Sequence, residues 1–264
     1  MFSLVTVNIG AAASERAVRI GQWLAEADDD VAVLTETSAG PGTAMLLDRH
    51  RRAGWNCTNI TGPVGDRGAA IISRLVPGEA IPPPMSVTLP HRLASHTIGT
   101  EPSAIVLGVY VPSRDRSQAK VERKQAFLEA LLTAIESYDL EVRERLLLAG
   151  DFNVVAADSP QARTMMPFEL EVLPRLAETG LVDLAAAADF ADEPTWVGRT
   201  GDRYRYDYVF AGTAIAECVA GVEFLHETRT LGLTDHSAVR VRFKCEADRL
   251  AVAGPVPESA PTLF

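Results

Sequence analysis

The stretch Leu146-Leu147-Leu148-Ala149-Gly150-Asp151-Phe152-Asn153 decides how this chain is read. Its apolar first half is the signature of a buried strand. Past that strand, an acid and an amide two residues apart point to the same side of the backbone. Such a pair can hold a polarised water or a phosphate oxygen at the edge of a sheet. A strand running into an Asp/Asn turn is common punctuation by itself. Here three other strand ends carry matching groups: Asn8 after Val5-Thr6-Val7, Glu36 after Val31-Ala32-Val33-Leu34, and Asp235-His236 before Ser237-Ala238-Val239-Arg240-Val241.

Working outward, the alternation of apolar segments predicts strands near 2–8, 31–36, 55–60, 68–73, 104–111, 145–149, 204–210, 216–225 and 237–243. Helical periodicity covers 14–27, roughly 117–138 and 168–178, with a short helix near 42–53. In the second of these, Val121, Phe127, Leu128, Leu131, Leu132 and Ile135 form one stripe. Residues 82–103, opening on a proline run, read as an irregular connection. Strands alternate with helices at first and then run together, a pattern suited to two packed mixed sheets with helices outside. The expected fold is therefore α/β, a four-layered α/β/β/α sandwich. It occupies one domain over residues 1–244, followed by a frayed or disordered tail over 245–264.

Composition bounds the function. The net charge of −10 argues against coating nucleic acid by bulk electrostatics, but not against an enzyme whose site needs acids. No apolar run approaches the length of a membrane span, and the chain opens on a strand-like segment with no basic leader, so no secretory signal is expected. Cys57, Cys218 and Cys245 lack metal spacing and read as reduced thiols of a cytoplasmic protein. Asp28-Asp29-Asp30 reads as a solvated turn. No obligate protein partner is evident.

Taken in order, Val7-Asn8-Ile9-Gly10, Thr35-Glu36, Gly68-Ala69-Ala70-Ile71-Ile72-Ser73-Arg74, Val109-Tyr110-Val111-Pro112-Ser113, Gly150-Asp151-Phe152-Asn153, Arg205-Tyr206-Asp207-Tyr208-Val209-Phe210 and Thr234-Asp235-His236-Ser237 resemble the endonuclease/exonuclease/phosphatase superfamily. The resemblance spans about residues 1–243. It implies the four-layered sandwich and hydrolysis of phosphate esters with a divalent metal, usually magnesium, with manganese as an alternative. Tyr110 resembles the tyrosine of the exonuclease III and abasic-site endonuclease branch, where the pancreatic deoxyribonuclease branch carries histidine. Thr35 departs from the glutamine many nuclease members have there, and the DNA-gripping insertions of the abasic-site branch are not recognisable.

Phosphodiester hydrolysis needs a cation to neutralise charge, a group to orient water and donors on the non-bridging oxygens. Glu36 is the expected metal ligand, with Asn8 beside it and Asp235 close by. Asp151 would orient or deprotonate the water, and Asn153 would donate to a phosphate oxygen. His236 resembles the family's catalytic histidine, and Asp207 the carboxylate that fixes its tautomer. Trp196 falls where members place an aromatic near the substrate. Arg205, with the arginines at 49, 51, 52, 67, 114, 116, 199 and 203, falls mostly in expected loops where a phosphate-binding rim could form. The expected activity is a nuclease acting on DNA; the alternative is a phosphatase or phosphodiesterase on a nucleotide, sugar or lipid phosphate.

Overall fold

A computed structural model describes residues 1–79 and 87–252. The proline run at 81–84 lies outside the described residues. In chain order the strands are β1 (Phe2–Asn8), β2 (Val31–Thr37), β3 (Asn56–Asn59), β4 (Gly68–Ser73), β5 (Leu93–Ile98), β6 (Ala104–Tyr110), β7 (Leu146–Asp151), β8 (Val182–Asp183), β9 (Trp196–Val197), β10 (Arg203–Tyr204), β11 (Asp207–Ala211), β12 (Val219–Leu225) and β13 (Ala238–Phe243). The longest helices are α1 (Ser14–Ala27), α2 (Pro41–Arg52) and α3 (Gln118–Glu136).

Two mixed sheets form. The first has the order β12-β13-β1-β2-β4-β3 and the second β5-β6-β7-β11-β8. In the first, β1 is parallel to β2 and antiparallel to β13; in the second, β6 is parallel to β7, which is antiparallel to β11. The period-two alternation of each strand sorts its side chains between cores. Phe2 and Leu4 of β1 meet Leu147 and Ala149 of β7 and Val209 and Ala211 of β11 between the sheets. Val5 and Val7 face outward to α1 and α2 with Ile20, Trp23, Leu46 and Leu47. On the other side Leu146, Leu148, Tyr208 and Phe210 pack under Phe127, Leu128 and Leu131 of α3. Three stacked cores make the four-layered α/β/β/α sandwich. Each fully buried leucine of these layers is worth about 1.5–3 kcal/mol against exposure.

Several expectations need correction. Residues 93–98, read as irregular, form edge strand β5, antiparallel to β6; the polar Ser95, His96 and Thr97 dilute its apolar signal. The strand expected at 204–210 is broken: Arg203–Tyr204 pairs with Trp196–Val197, and β11 begins only at Asp207. Arg49, Arg51 and Arg52 lie on α2, not in a loop.

Asp28-Asp29-Asp30 is no solvated turn. Asp29 and Asp30 are buried. Asp30 takes Arg74 Nε at 2.7 Å and Arg249 Nε at 2.7 Å, while Arg240 grips Asp29 through both carboxylate oxygens. Nor is the chain frayed from 245. Cys245 is bonded to Cys218, and Ala247 and Arg249 form isolated bridges to Thr100 and Leu75. Isolated bridges leave no periodic trace, so this docking was invisible in the sequence. The pairing also removes the cysteine argument for a reducing compartment. Among the described residues no helix is long and apolar enough to cross a membrane.

Candidate active site

The strand alternation that fills the inter-sheet core continues past it to a row of polar groups. Asn8 follows Phe2, Leu4 and Thr6 in inward parity, Tyr110 follows Ala104 and Val106, and Asp151 follows Leu147 and Ala149. Asp207 precedes Val209 and Ala211 on the same face. Register then aligns them: Tyr110 is opposite Asp151 across β6–β7, and Asp151 is opposite Asp207 across β7–β11. Three residues from three strands thus form one line across the second sheet, with Asn8 facing them from the first.

Glu36 reaches the row by a different device. Val31 and Val33 point inward, so parity would send residue 36 out toward the helices. The β2–β4 register shifts between Thr35 and Thr37, and Glu36 has φ of 51°. The bulge turns its carboxylate back into the row. Asn153 also holds a left-handed backbone, with φ of 50°. Backbone strain of this kind, about 1–3 kcal/mol per residue, gathers at functional sites. Gly150 is required for close approach: a Cβ there would lie 2.0 Å from the carbonyl oxygen of Val109.

The contacts form one network. Asn8 Oδ1 accepts the Gly10 N–H at 2.8 Å, which turns its amide nitrogen toward the acids. Nδ2 lies 3.2 Å from Glu36 Oε1, 2.9 Å from Asp151 Oδ2 and 3.4 Å from His236 Nε2. An amide has only two hydrogens for these three neighbours. The longest contact is therefore the one left over, and His236 Nε2 is the group least committed to the protein. Its other nitrogen, Nδ1, lies 2.7 Å from Asp207 Oδ2. Tyr110 donates its hydroxyl to Glu36 Oε1 at 3.1 Å. Asp151 Oδ1 accepts the Asn153 N–H at 2.9 Å.

Electrostatics follow from burial and crowding. Desolvation, with Asp207 and Glu36 nearby, pushes the Asp151 carboxyl up to about 8. Burial disfavours the His236 imidazolium, but Asp207 outweighs it and raises the ring to about 9. Burial first, then the charge of Glu36, raises the Tyr110 phenol, which stays protonated.

The acids could hold a divalent cation. Asp151, Asp207 and His236 place ligand atoms within 4.8 Å of one another, and Asp207 Oδ1 is buried with no hydrogen-bond partner. However, Asp207 and His236 already share a short hydrogen bond that a cation between them would break. On the Glu36 side, Oε2 has only Arg67 Nε at 3.9 Å, and two carboxylates converge on one amide. That oxygen-rich side fits a hard cation.

The expected residues are not all placed alike. Asn8, expected as a metal ligand, presents its amide hydrogens to the acids while its oxygen accepts the Gly10 N–H. Asp235 stays exposed at the rim, where its Oδ2 accepts the Trp196 indole N–H at 2.9 Å. Trp196 itself bridges the backbone of His236 and packs beside Tyr204 and Tyr206. Arg205 lies over the Tyr208 ring, with Nη2 2.5 Å from Asp183 Oδ1. Arg114 is likewise held, by Glu169. Of the arginine rim, Arg67 is the member that approaches the acids.

Residues 5–236 match the family described as Endonuclease/Exonuclease/phosphatase family. No curated protein matches the sequence. Among solved structures, the 3′ phosphatase NExo from Neisseria bound to a product DNA hairpin superposes with a TM-score of 0.75 at 23% identity, covering 92% of this chain and 99% of that one. The 3′-5′ exonuclease from Neisseria meningitidis gives 0.75 at 24%, covering 91% and 99%. An AP endonuclease from Archaeoglobus fulgidus gives 0.73 at 21%, covering 92% and 99%. Fold, ordered motifs and convergent acids agree: the chain belongs to the Endonuclease/Exonuclease/phosphatase family and is a phosphoric ester hydrolase.

Proposed function

We propose that the chain is a magnesium-dependent nuclease acting on DNA. The observation that carries the reading is the line Tyr110–Asp151–Asp207, closed by His236 and faced by Asn8 and Glu36. Magnesium, or manganese in its place, would be held by Glu36, and when bound it neutralises charge on the phosphate's non-bridging oxygens. Asn8 orients the Glu36 and Asp151 carboxylates toward each other. Asp151, ionised in the presence of the cation, aligns the attacking water and accepts its proton. His236, charged and fixed by Asp207, donates from Nε2 to the oxygen on which charge develops. Asn153 supplies a further amide donor beside Asp151, and Tyr110 keeps Glu36 in place.

DNA is favoured over a small phosphate ester because the similar structures include a 3′ phosphatase with a DNA hairpin, a 3′-5′ exonuclease and an AP endonuclease. Their titles speak for those proteins, so a substrate panel tests the proposal. Plasmid, a duplex with a recessed 3′ end, a 3′-phosphorylated duplex, an abasic duplex, a phosphoinositide and bis-p-nitrophenyl phosphate are incubated with magnesium or EDTA. Magnesium-dependent cleavage of a DNA arm at rates well above the others supports it. Turnover confined to the phosphoinositide or another small ester overturns the nuclease reading and leaves the hydrolase.

A further inference from the structure

The core stripe of α3 contains a residue that does not belong in a core. Lys124 lies three residues from both Val121 and Phe127 and is 1% exposed. Burying an ammonium group costs several kcal/mol unless it is paired and hydrogen-bonded. A leucine or methionine would fill the position at no such cost. Two acceptors explain the lysine: Glu169 Oε1 at 2.5 Å and the backbone carbonyl oxygen of Asn153 at 2.6 Å.

Glu169 is itself 1% exposed and anchored on every side. It accepts Arg114 Nε at 3.0 Å, a second Arg114 donor, and the Met166 N–H at 2.7 Å. The ion pair thus ties α3, the Arg114 segment and the turn at Met166–Glu169 together before it touches Asn153. On the other side of that peptide, the Asn153 N–H meets Asp151 Oδ1 and Nδ2 donates to the Val111 carbonyl at 3.0 Å. Asn153 holds φ of 50°, a left-handed conformation that asparagine tolerates better than most residues and that these contacts pin from both sides.

We infer that Lys124, backed by Glu169, is a positioning residue that locks the Asn153 peptide in its left-handed conformation and so aligns Asn153 and Asp151 for hydrolysis. This rests on the functional reading above for what Asn153 does, but not for where the lysine holds it. Lys124 touches no reacting atom; it acts through the carbonyl of Asn153. A misplacement of a catalytic group by about 1 Å costs on the order of 100-fold in rate.

The test compares Lys124→Met, Lys124→Arg, Asn153→Ala and the Lys124→Met/Asn153→Ala pair, on the DNA arm the wild type cleaves best. For Lys124→Met, kcat should fall about 10- to 100-fold with KM little changed. Lys124→Arg should restore most of the rate, and the double variant should be no slower than Asn153→Ala. Independently of turnover, deuterium exchange at the Asn153 amide should speed up at least about tenfold in Lys124→Met, while the Leu147 and Leu148 amides keep wild-type protection. Unchanged exchange at Asn153, or acceleration spread equally along β7, would overturn the inference, because the lysine would then be a plain folding contact. If Lys124→Met does not fold, Glu169→Gln must show the same local acceleration. A wild type inactive on every phosphate ester would end the functional reading while leaving the exchange result decisive for the lysine.

Discussion

The strands β1 and β2 carry a partly buried acidic cluster at each end, and the two clusters are built oppositely. At the N-terminal ends, Asp28, Asp29 and Asp30 face Arg74, Arg240 and Arg249, a charge for a charge. Burial opposes ionisation of Asp30, yet Arg249 and Arg74 overcome it and hold the carboxyl below its usual range. At the C-terminal ends, Glu36, Asp151 and Asp207 share one imidazole and an amide, with Arg67 Nε 3.9 Å away. There the Asp151 carboxyl moves up. The first cluster is electrically complete, and its work is to tie strand ends together. The second is short of positive charge, a deficit that the proposed cation would fill. Under-neutralised acid at a strand end, more than acid itself, marks the site.

That contrast breaks most visibly at Asp30. Asp30→Asn should lower unfolding free energy by about 3 kcal/mol, the scale for stripping one partner from a buried ion pair. Turnover of the folded fraction should be unchanged, with both read from urea titration beside an activity assay. An inactive but stable variant would mean that the two ends are coupled. Next in size, His236→Ala should lose about 100-fold in kcat, or about 2.7 kcal/mol of transition-state stabilisation. Asp207→Asn should lose rate in the same direction, and the double variant should be barely slower than His236→Ala. Additive losses would detach Asp207 from the histidine.

Smaller again is the cation's own effect. Magnesium at ten times its Kd should stabilise the wild type by about 1.4 kcal/mol, and Glu36→Gln should erase most of that gain in a thermal melt. A full shift in the variant would move the ligand elsewhere.

Per unit of pH, the expected slope is at most about 1.4 kcal/mol for each proton. Asp30 ionises more readily in the folded chain, so its contribution is present above about pH 4 and is lost as acid protonates it. Asp151, raised to about 8, works the other way: its contribution declines as pH climbs from about 4 toward 8. That of His236, raised to about 9, is complete below 6.5 and lost through 9. In EDTA, stability should therefore fall from pH 6.5 to 9, and His236→Ala should flatten the fall. Equal slopes in the two proteins would show that the imidazole carries no net charge in the fold.

Much of this was legible in the sequence because period-two alternation is rigid. Once Leu147 and Ala149 face the core, Asp151 must share their side, and the same logic places Asn8, Tyr110 and Asp207. Glu36 was found by residue type and position although parity alone would have sent it outward, since nothing in Thr35-Glu36-Thr37 announces a bulge. The pairing of Arg205 with Asp183 was not legible, because an arginine beside a strand gives no sign of which acid folding will bring to it. Lys124 could have been caught: a lysine on an otherwise apolar helical stripe is a visible anomaly. The charge balance of Asp28-Asp29-Asp30 could not, because its arginines come from positions 74, 240 and 249, which only tertiary folding brings near.

The last strand of the first sheet, β13, lies beside the first, with Phe2 opposite Phe243. His236 sits just ahead of that strand. On the ribosome, β1 therefore waits with one edge open until β13 has been translated, and the histidine arrives with that strand. Until β13 slides in, a nascent chain can gather its acids but lacks the imidazole that Asp207 holds. Closing the first sheet and completing the row of polar groups are therefore one event.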